Sequence, residues 1–149
     1  MTPYSDVSYW LESSGDLAPR PSLDGPAEAD VAILGAGFTG LWTAYELLRR
    51  DPSMRVVVLE RDIAGFGASG RNGGWCSSEL NAGISLLAER FGGDGARRVQ
   101  QAMYDTVDEV GRVIAAEGID ASYQKGGMLM VARGEHQVPA IDALQADYV

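Results

Sequence analysis

The feature that most constrains this chain of 149 residues is a glycine cluster set between two short apolar runs. Residues 30–34 (Asp-Val-Ala-Ile-Leu) form an apolar run that stops at a glycine, as a buried strand does. Gly35-Ala-Gly-Phe-Thr-Gly40 follows, and residues 40–50 carry apolar side chains at steps of three and four, which is typical of an amphipathic helix. Residues 55–59 (Arg-Val-Val-Val-Leu) form a continuous and mostly β-branched run, as in a parallel strand covered on both faces. The sequence therefore predicts a strand–helix–strand unit in an α/β fold.

The glycines match the pattern G-x-G-x-x-G, and their place between a strand and a helix is what the dinucleotide-binding motif requires. Gly35 would permit the tight turn, Gly37 would let the backbone approach a pyrophosphate, and Gly40 would let the helix pack closely on the strands. Glu60 ends the second strand, 20 residues after Gly40. A carboxylate there accepts hydrogen bonds from ribose hydroxyls and repels a 2′-phosphate, which disfavours NADP. The simpler alternative is a loop glycine cluster beside an incidental surface glutamate.

A second glycine-rich segment follows in residues 61–78. Of the 19 glycines, eight fall between Gly35 and Gly74, so the excess is local. A loop so rich in glycine can wrap a long ligand through its backbone amides, and the alternative is a flexible linker. Four glycines surround three polar side chains here: Gly67, Gly70, Gly73 and Gly74, around Ser69, Arg71 and Asn72.

Residues 30–41 (Asp-Val-Ala-Ile-Leu-Gly-Ala-Gly-Phe-Thr-Gly-Leu), 58–60 (Val-Leu-Glu) and 67–74 (Gly-Ala-Ser-Gly-Arg-Asn-Gly-Gly) together resemble the FAD-dependent amine and amino-acid oxidoreductases. That family includes D-amino-acid oxidase, glycine oxidase and sarcosine oxidase. The sequence of residues 65–74, together with Ser8-Tyr9-Trp10 before the first strand, is most similar to the gamma-glutamylputrescine oxidase branch of that family. The specific likeness covers about residues 4–78.

The resemblance implies FAD as cofactor and a flavin that accepts a hydride from the carbon bearing an amine. It implies a Rossmann-like FAD-binding βαβ unit with following helices and the beginning of a substrate-domain sheet. The corresponding domains are an N-terminal arm (1–29), the first part of the FAD-binding domain (30–118) and an incomplete substrate domain (119–149). Carried over position by position, the cofactor-binding residues are Gly35, Gly37, Phe38, Thr39 and Gly40 at the pyrophosphate, Glu60 and Arg61 at the adenosine end, and Ala68, Ser69, Arg71, Asn72 and Gly73 at the ribityl chain and flavin.

Beyond the second loop, the pattern predicts helices at 79–90 and 96–117, separated by the glycines of 91–95. A strand at 127–132 and a helix at 137–148 follow. The apolar stripe of 96–117 favours packing within the chain over a coiled coil. Cys76 is expected to be a buried core thiol rather than a flavin link, and the methionines at 128 and 130 are expected in a core. Trp75 is expected either near the flavin or in a core.

The bulk composition excludes several classes of protein. A net charge of −9 argues against a nucleic-acid binder, because phosphate binding needs a basic face. The sequence has no apolar run long enough for a membrane span and no signal-peptide pattern at its start, and its single cysteine excludes an internal disulfide or a thiolate zinc site. These features favour a cytoplasmic protein with no metal, and the resemblance implies a small-molecule amine or amino acid as substrate.

Two alternatives stay open at this point. One is an NAD-binding module, and the other is a truncated product without catalytic activity. Family members are well over twice this length, so the chain resembles an N-terminal fragment of such an enzyme. We assign no catalytic residue from the sequence, which also does not indicate the electron acceptor or the oligomeric state.

Overall fold

The computed structural model describes residues 3–80 and 83–147, which form two compact units that divide between Trp75 and Cys76. The first unit contains a two-stranded parallel sheet, and the second is built from helices. Among the described residues, no helix combines the length and apolar character needed to cross a membrane.

The predicted strand–helix–strand unit is confirmed. Strand β1 (Val31–Leu34) and strand β2 (Val56–Leu59) pair in parallel, with Val31 opposite Val56 and Leu34 opposite Leu59. The connecting helix α2 spans Phe38–Arg50, so it begins two residues earlier than the apolar pattern indicated. Its first backbone hydrogen bond runs from the Leu41 N–H to the Gly37 carbonyl, 3.0 Å away.

Helix α2 approaches the sheet closely at Gly40. A Cβ added there would lie 2.0 Å from the Gly35 carbonyl oxygen and 3.2 Å from Cγ2 of Ile33. The opposite face of the sheet is partly open, because Leu34 is 84% exposed, whereas the sequence pattern indicated cover on both faces. A cavity of about 470 Å³ lies on that open side, lined in part by Ala32, Val57 and Leu59.

Asp30 and Arg55 join the starts of the two strands. Arg55 donates from Nη2 to Asp30 Oδ1 at 2.8 Å and from its backbone N–H to Asp30 Oδ2 at 2.8 Å. The guanidinium hydrogen bond is the main reason that the pKa of Asp30 falls from 3.8 to about 2. The same contact raises the pKa of Arg55.

The described part of the N-terminal arm contains little regular structure. A single 3-10 turn covers Tyr4–Asp6, and helix α1 covers Tyr9–Glu12. Ser8 caps α1 by accepting a hydrogen bond from the Leu11 N–H at 3.3 Å, and Leu11 is buried. Residues 13–29 form neither helix nor strand.

The second unit is dominated by α3 (Ile84–Glu117), in which two helical segments meet at Gly92, with a backbone φ of +74°. The helix is therefore interrupted at one glycine rather than over the whole of 91–95. Glycine adopts a positive φ readily because it has no Cβ atom. The first segment begins at Ile84 and not at Glu79, and residues 81 and 82 of the predicted helix lie outside the described residues. The second segment ends at Gly118, whose φ of +63° is typical of a helix C′ position.

The strand predicted at 127–132 is wrong. Residues 128–131 have no regular secondary structure, and Leu129 is 87% exposed. A strand needs a neighbour to pair its backbone N–H and C=O groups, and the strands in the described ranges, β1 and β2, pair with each other. Helix α4 (Val138–Asp147) follows a 3-10 turn at Glu135–Gln137; residue 148 of the predicted helix lies outside the described residues.

Several burial predictions are also wrong. Cys76 is exposed instead of forming a core thiol, and Met128 and Met130 are exposed as well. Trp75 is 83% exposed, which excludes the core alternative for this side chain. An apolar pattern predicts burial only where another element covers it.

Candidate dinucleotide site

The first glycine loop connects β1 to α2 in a conformation that requires glycine at its start. Gly35 has a φ of +98°, and its N–H donates to the Leu59 carbonyl at 2.7 Å, which ties the loop to the end of β2. The backbone amides of residues 38–40 precede the first hydrogen bond of α2, so they point out of its N-terminus. The partial positive charge of a helix N-terminus attracts anions, and Phe38 and Thr39 on this turn are exposed.

The Glu60 carboxylate lies against this loop. Its Oε2 accepts from the Ala36 N–H at 2.9 Å, and its Oε1 accepts from the Arg61 and Asp62 N–H groups at 2.8 and 3.1 Å. The Ala36 hydrogen bond is the largest of several that hold the pKa of Glu60 below its usual value. Oε2 accepts one of these three bonds, which leaves it capacity for a second donor. The side chain is exposed, so a ligand hydroxyl can reach it.

The Arg61 side chain forms a surface ion pair. Its Nε lies 3.0 Å from Asp62 Oδ2, and its side chain is 87% exposed. The structure thus brings Glu60 to the glycine loop and leaves the predicted adenosine-side arginine in a surface ion pair.

The second glycine loop, residues 65–74, contacts the first one directly. The Gly65 N–H donates to the Ala36 carbonyl at 2.9 Å, and the Ser69 hydroxyl accepts from the Phe38 N–H at 2.8 Å. Gly37 leaves room for this approach, because a Cβ there would lie 2.9 Å from Ser69 Oγ. The two predicted cofactor loops are therefore in contact.

The second loop is a folded turn held by its own side chains. A 3-10 turn covers Ala68–Gly70, where a Cβ on Gly70 would lie 2.4 Å from the Gly65 carbonyl oxygen. Arg71 donates from Nε to the Phe66 carbonyl at 2.8 Å, and its guanidinium carbon lies 4.5 Å from the centre of the Phe66 ring. The Asn72 side chain donates to the Ser69 carbonyl and accepts from the Gly74 N–H at 2.7 Å. Ala68 and Gly73 are exposed at the surface of this turn.

Comparison with known proteins decides the family. The sequence pattern of FAD-dependent oxidoreductases matches residues 30–148 of this chain. The chain belongs to the FAD-dependent oxidoreductases. FAD is the cofactor of that family.

Similar members of this family differ in what their names say they act on. The chain is 34% identical over 135 residues to the gamma-glutamylputrescine oxidoreductase of Escherichia coli (strain K12), covering 91% of this chain and 31% of that protein. It is 34% identical over 119 residues to the probable oxidoreductase OrdL of Haemophilus influenzae, covering 80% of this chain and 27% of that protein. It is also 29% identical over 136 residues to the mitochondrial L-2-hydroxyglutarate dehydrogenase of Caenorhabditis elegans, covering 85% of this chain and 26% of that protein.

The chain thus spans 26 to 31% of the length of these relatives. No solved structure shows a significant match to it.

The structure adds residues to the candidate site that the sequence did not reveal. Ala36 and Gly65 act through backbone groups, and neither residue type signals that role. Ser8 and Trp10 of the arm contact the second loop through Gly70 and Asn72. The aromatic residues in an otherwise polar arm were the available signal for that contact.

Proposed function

We propose that this chain is the FAD-binding portion of an oxidoreductase that oxidises an amine or amino acid by hydride transfer to the flavin. The observation that carries the proposal is the convergence of both glycine loops and the Glu60 carboxylate at the N-terminus of α2. The hydrogen bonds Ala36–Glu60 and Phe38–Ser69, of 2.9 and 2.8 Å, join the three parts. Such a donor and acceptor set suits a ligand with a pyrophosphate beside a ribose.

At the pyrophosphate we place the first loop. Gly35 gives the loop its turn, Gly37 has no side chain that would keep an anion from the backbone, and Gly40 lets α2 pack closely on β1. The Thr39 amide lies at the positive end of α2, while the Phe38 amide already donates to the Ser69 hydroxyl. Backbone dipoles would supply the attraction for the anion in a protein of net charge −9.

At the adenosine end we place Glu60 and Arg61. Glu60 would accept from a ribose hydroxyl through Oε2, and its lowered pKa keeps it ionised for that role well below neutral pH. Arg61 would have to leave its surface ion pair with Asp62 to reach an adenine ring, so we expect it to contribute little.

At the ribityl chain and flavin we place Ala68, Ser69, Arg71, Asn72 and Gly73. Ser69 already bridges to α2, so the second loop would continue the binding surface from the pyrophosphate. When bound, FAD supplies the hydride-accepting ring. The chain's own residues hold and orient that group, and none of them is assigned as an acid or base.

The amine or amino-acid substrate rests on the likeness to gamma-glutamylputrescine oxidoreductase. Another relative, L-2-hydroxyglutarate dehydrogenase, is named for a 2-hydroxy acid, so a hydroxy acid is the competing substrate class. We propose residues 30–118 as the first part of the FAD-binding domain and 119–149 as the start of a substrate domain, in a cytoplasmic protein. That functional boundary differs from the division of the compact units at Trp75 and Cys76.

Titration of the purified chain with FAD tests the proposal. Quenching of flavin fluorescence and a shifted visible spectrum are expected with FAD, and a much smaller response with NAD. A chain that takes up NAD and ignores FAD, or binds neither, would overturn it. Bleaching of bound flavin by added amine but not by a 2-hydroxy acid would support the substrate class. We expect turnover by these residues alone to be weak or absent, because the chain spans about three-tenths of its relatives.

A further inference from the structure

The segment Tyr4–Glu12, which we call the N-terminal clamp, contacts the second glycine loop through three of its residues. The Ser8 hydroxyl donates to the Gly70 carbonyl, and the Trp10 indole Nε1–H donates to the Asn72 carbonyl at 2.8 Å. The Tyr4 ring lies edge-on to Phe66, with ring centres 5.6 Å apart. All of these residues belong to the first compact unit.

The Trp10 indole also packs on the bare backbone of Gly74. A Cβ added to Gly74 would lie 2.7 Å from Cζ2 of the indole, and the φ of +79° at this position favours glycine. Trp10 remains 43% exposed, so it is no core residue. Its contacts point to a role in holding the loop.

The two hydrogen bonds of the clamp flank Arg71 on either side. Ser8 holds the carbonyl of the preceding residue, and Trp10 holds the carbonyl of the following one. Both accepting groups are backbone carbonyls, so the clamp fixes the path of the chain while the Ser69, Arg71 and Asn72 side chains keep their own contacts. A loop ordered before its ligand arrives pays less conformational entropy on binding.

We infer that Ser8 and Trp10 are positioning residues that order the second glycine loop to receive FAD. This inference rests on the proposed function, because it takes the second loop to bind the ribityl and flavin part of the cofactor. It assigns a binding-related role to a segment that lies before residues 30–148, the part that matches the family pattern.

The change Trp10→Phe tests the inference, because it keeps an aromatic ring and removes the Nε1–H donor. Without FAD, trypsin cleavage after Arg71 should become at least threefold faster, with cleavage after Arg133 in the second unit as an internal reference. The dissociation constant for FAD, from flavin fluorescence, should rise at least fivefold. Tyr9→Phe is the matched control, because it removes a polar atom from the exposed neighbour in the same short helix and should change neither value.

Ser8→Ala provides a second variant with the same expected direction, and circular dichroism at rising temperature shows whether each variant folds. If folded Trp10→Phe and Ser8→Ala proteins bind FAD and resist trypsin as the parent chain does, the inference is overturned and the proposed function stands. Faster cleavage with unchanged FAD affinity also overturns it, because the loop would then be held but its order would not serve binding. If the parent chain binds no FAD, the proposed function itself fails, whatever the proteolysis shows.

Discussion

The Ser69 hydroxyl accepts a hydrogen bond from the backbone N–H of Phe38 at 2.8 Å, so a residue of the second glycine loop caps the helix that follows the first loop. Gly37, the N-cap residue, has no side chain that could do this. The two loops therefore stabilise each other, and a substitution in one loop should also destabilise the other.

Ser69→Ala should weaken both stability and cofactor binding. Loss of a capping oxygen costs about 1 kcal/mol, which should lower the free energy of unfolding in urea by that amount. The same loss should weaken FAD binding by roughly fivefold, because the second loop is then free to leave α2. Ser77→Ala is the control, since that hydroxyl accepts from the nearby Glu79 N–H in an exposed segment. Equal effects of the two changes would contradict the role of Ser69.

Gly40→Ala should destabilise the first unit by about 3 kcal/mol, the upper end of the usual cost of overpacking. The added Cβ would meet the Gly35 carbonyl oxygen at 2.0 Å, and backbone cannot rotate away as a flexible side chain does. Thermal unfolding followed by circular dichroism measures this effect. Gly15→Ala adds the same atom where nothing lies within 4 Å and should leave the melting temperature nearly unchanged. A Gly40→Ala protein as stable as the parent would show that helix and strand do not approach this closely.

Glu60→Gln should reduce FAD affinity by roughly tenfold and stability by about 1 kcal/mol. The carboxylate accepts backbone N–H groups through both oxygens, whereas an amide must turn its NH₂ group towards at least one of those donors. Isothermal titration with FAD and urea unfolding measure the two losses. Glu89→Gln, on the exposed surface of α3, is the matched control. An unaltered FAD affinity in Glu60→Gln would remove this residue from the site.

Asp30→Asn should lower stability at neutral pH, and the difference from the parent chain should vanish in acid. The pKa of Asp30 is lowered from 3.8 to about 2 in the folded chain, so its stabilising effect is present above pH 3.8 and is lost as the pH falls through about 2. Urea unfolding of both proteins between pH 2 and 7 measures the difference. Asp24→Asn, in the irregular part of the arm, controls for the loss of one charge. A difference that grows as pH falls through this window would contradict the Asp30–Arg55 contact.

Local patterns predicted the βαβ unit well because each part carries its own signal. The apolar run before Gly35, the helical periodicity after it and the β-branched run of 55–59 are all read within a few residues. The glycines of 91–95 likewise indicated a helix break, and the structure places it at Gly92, where φ is +74°. The residues of both glycine loops were identified in the same way, although their role in binding FAD remains a prediction.

Contacts between distant segments could not be predicted in this way. Residues 127–132 look like a strand, but a strand forms only where a neighbour accepts and donates its hydrogen bonds, and Leu129 remains exposed. Cys76 and Met128 look like core residues for the same local reason, and they are exposed. The hydrophobicity of a side chain sets a preference for burial. Whether another element covers that side chain depends on the whole fold.

By itself, the sequence determined the order of strand, glycine loop, helix, strand and acid, because backbone geometry and side-chain periodicity act over short distances. Only the tertiary structure decided that Ser69 caps α2, that Glu60 lies against the Ala36 N–H and that Trp10 holds the Asn72 carbonyl. These contacts join residues 24 to 62 positions apart in the chain. Two of them use a backbone N–H and one a carbonyl, groups that nearly every residue carries, so no side-chain pattern marks them in advance.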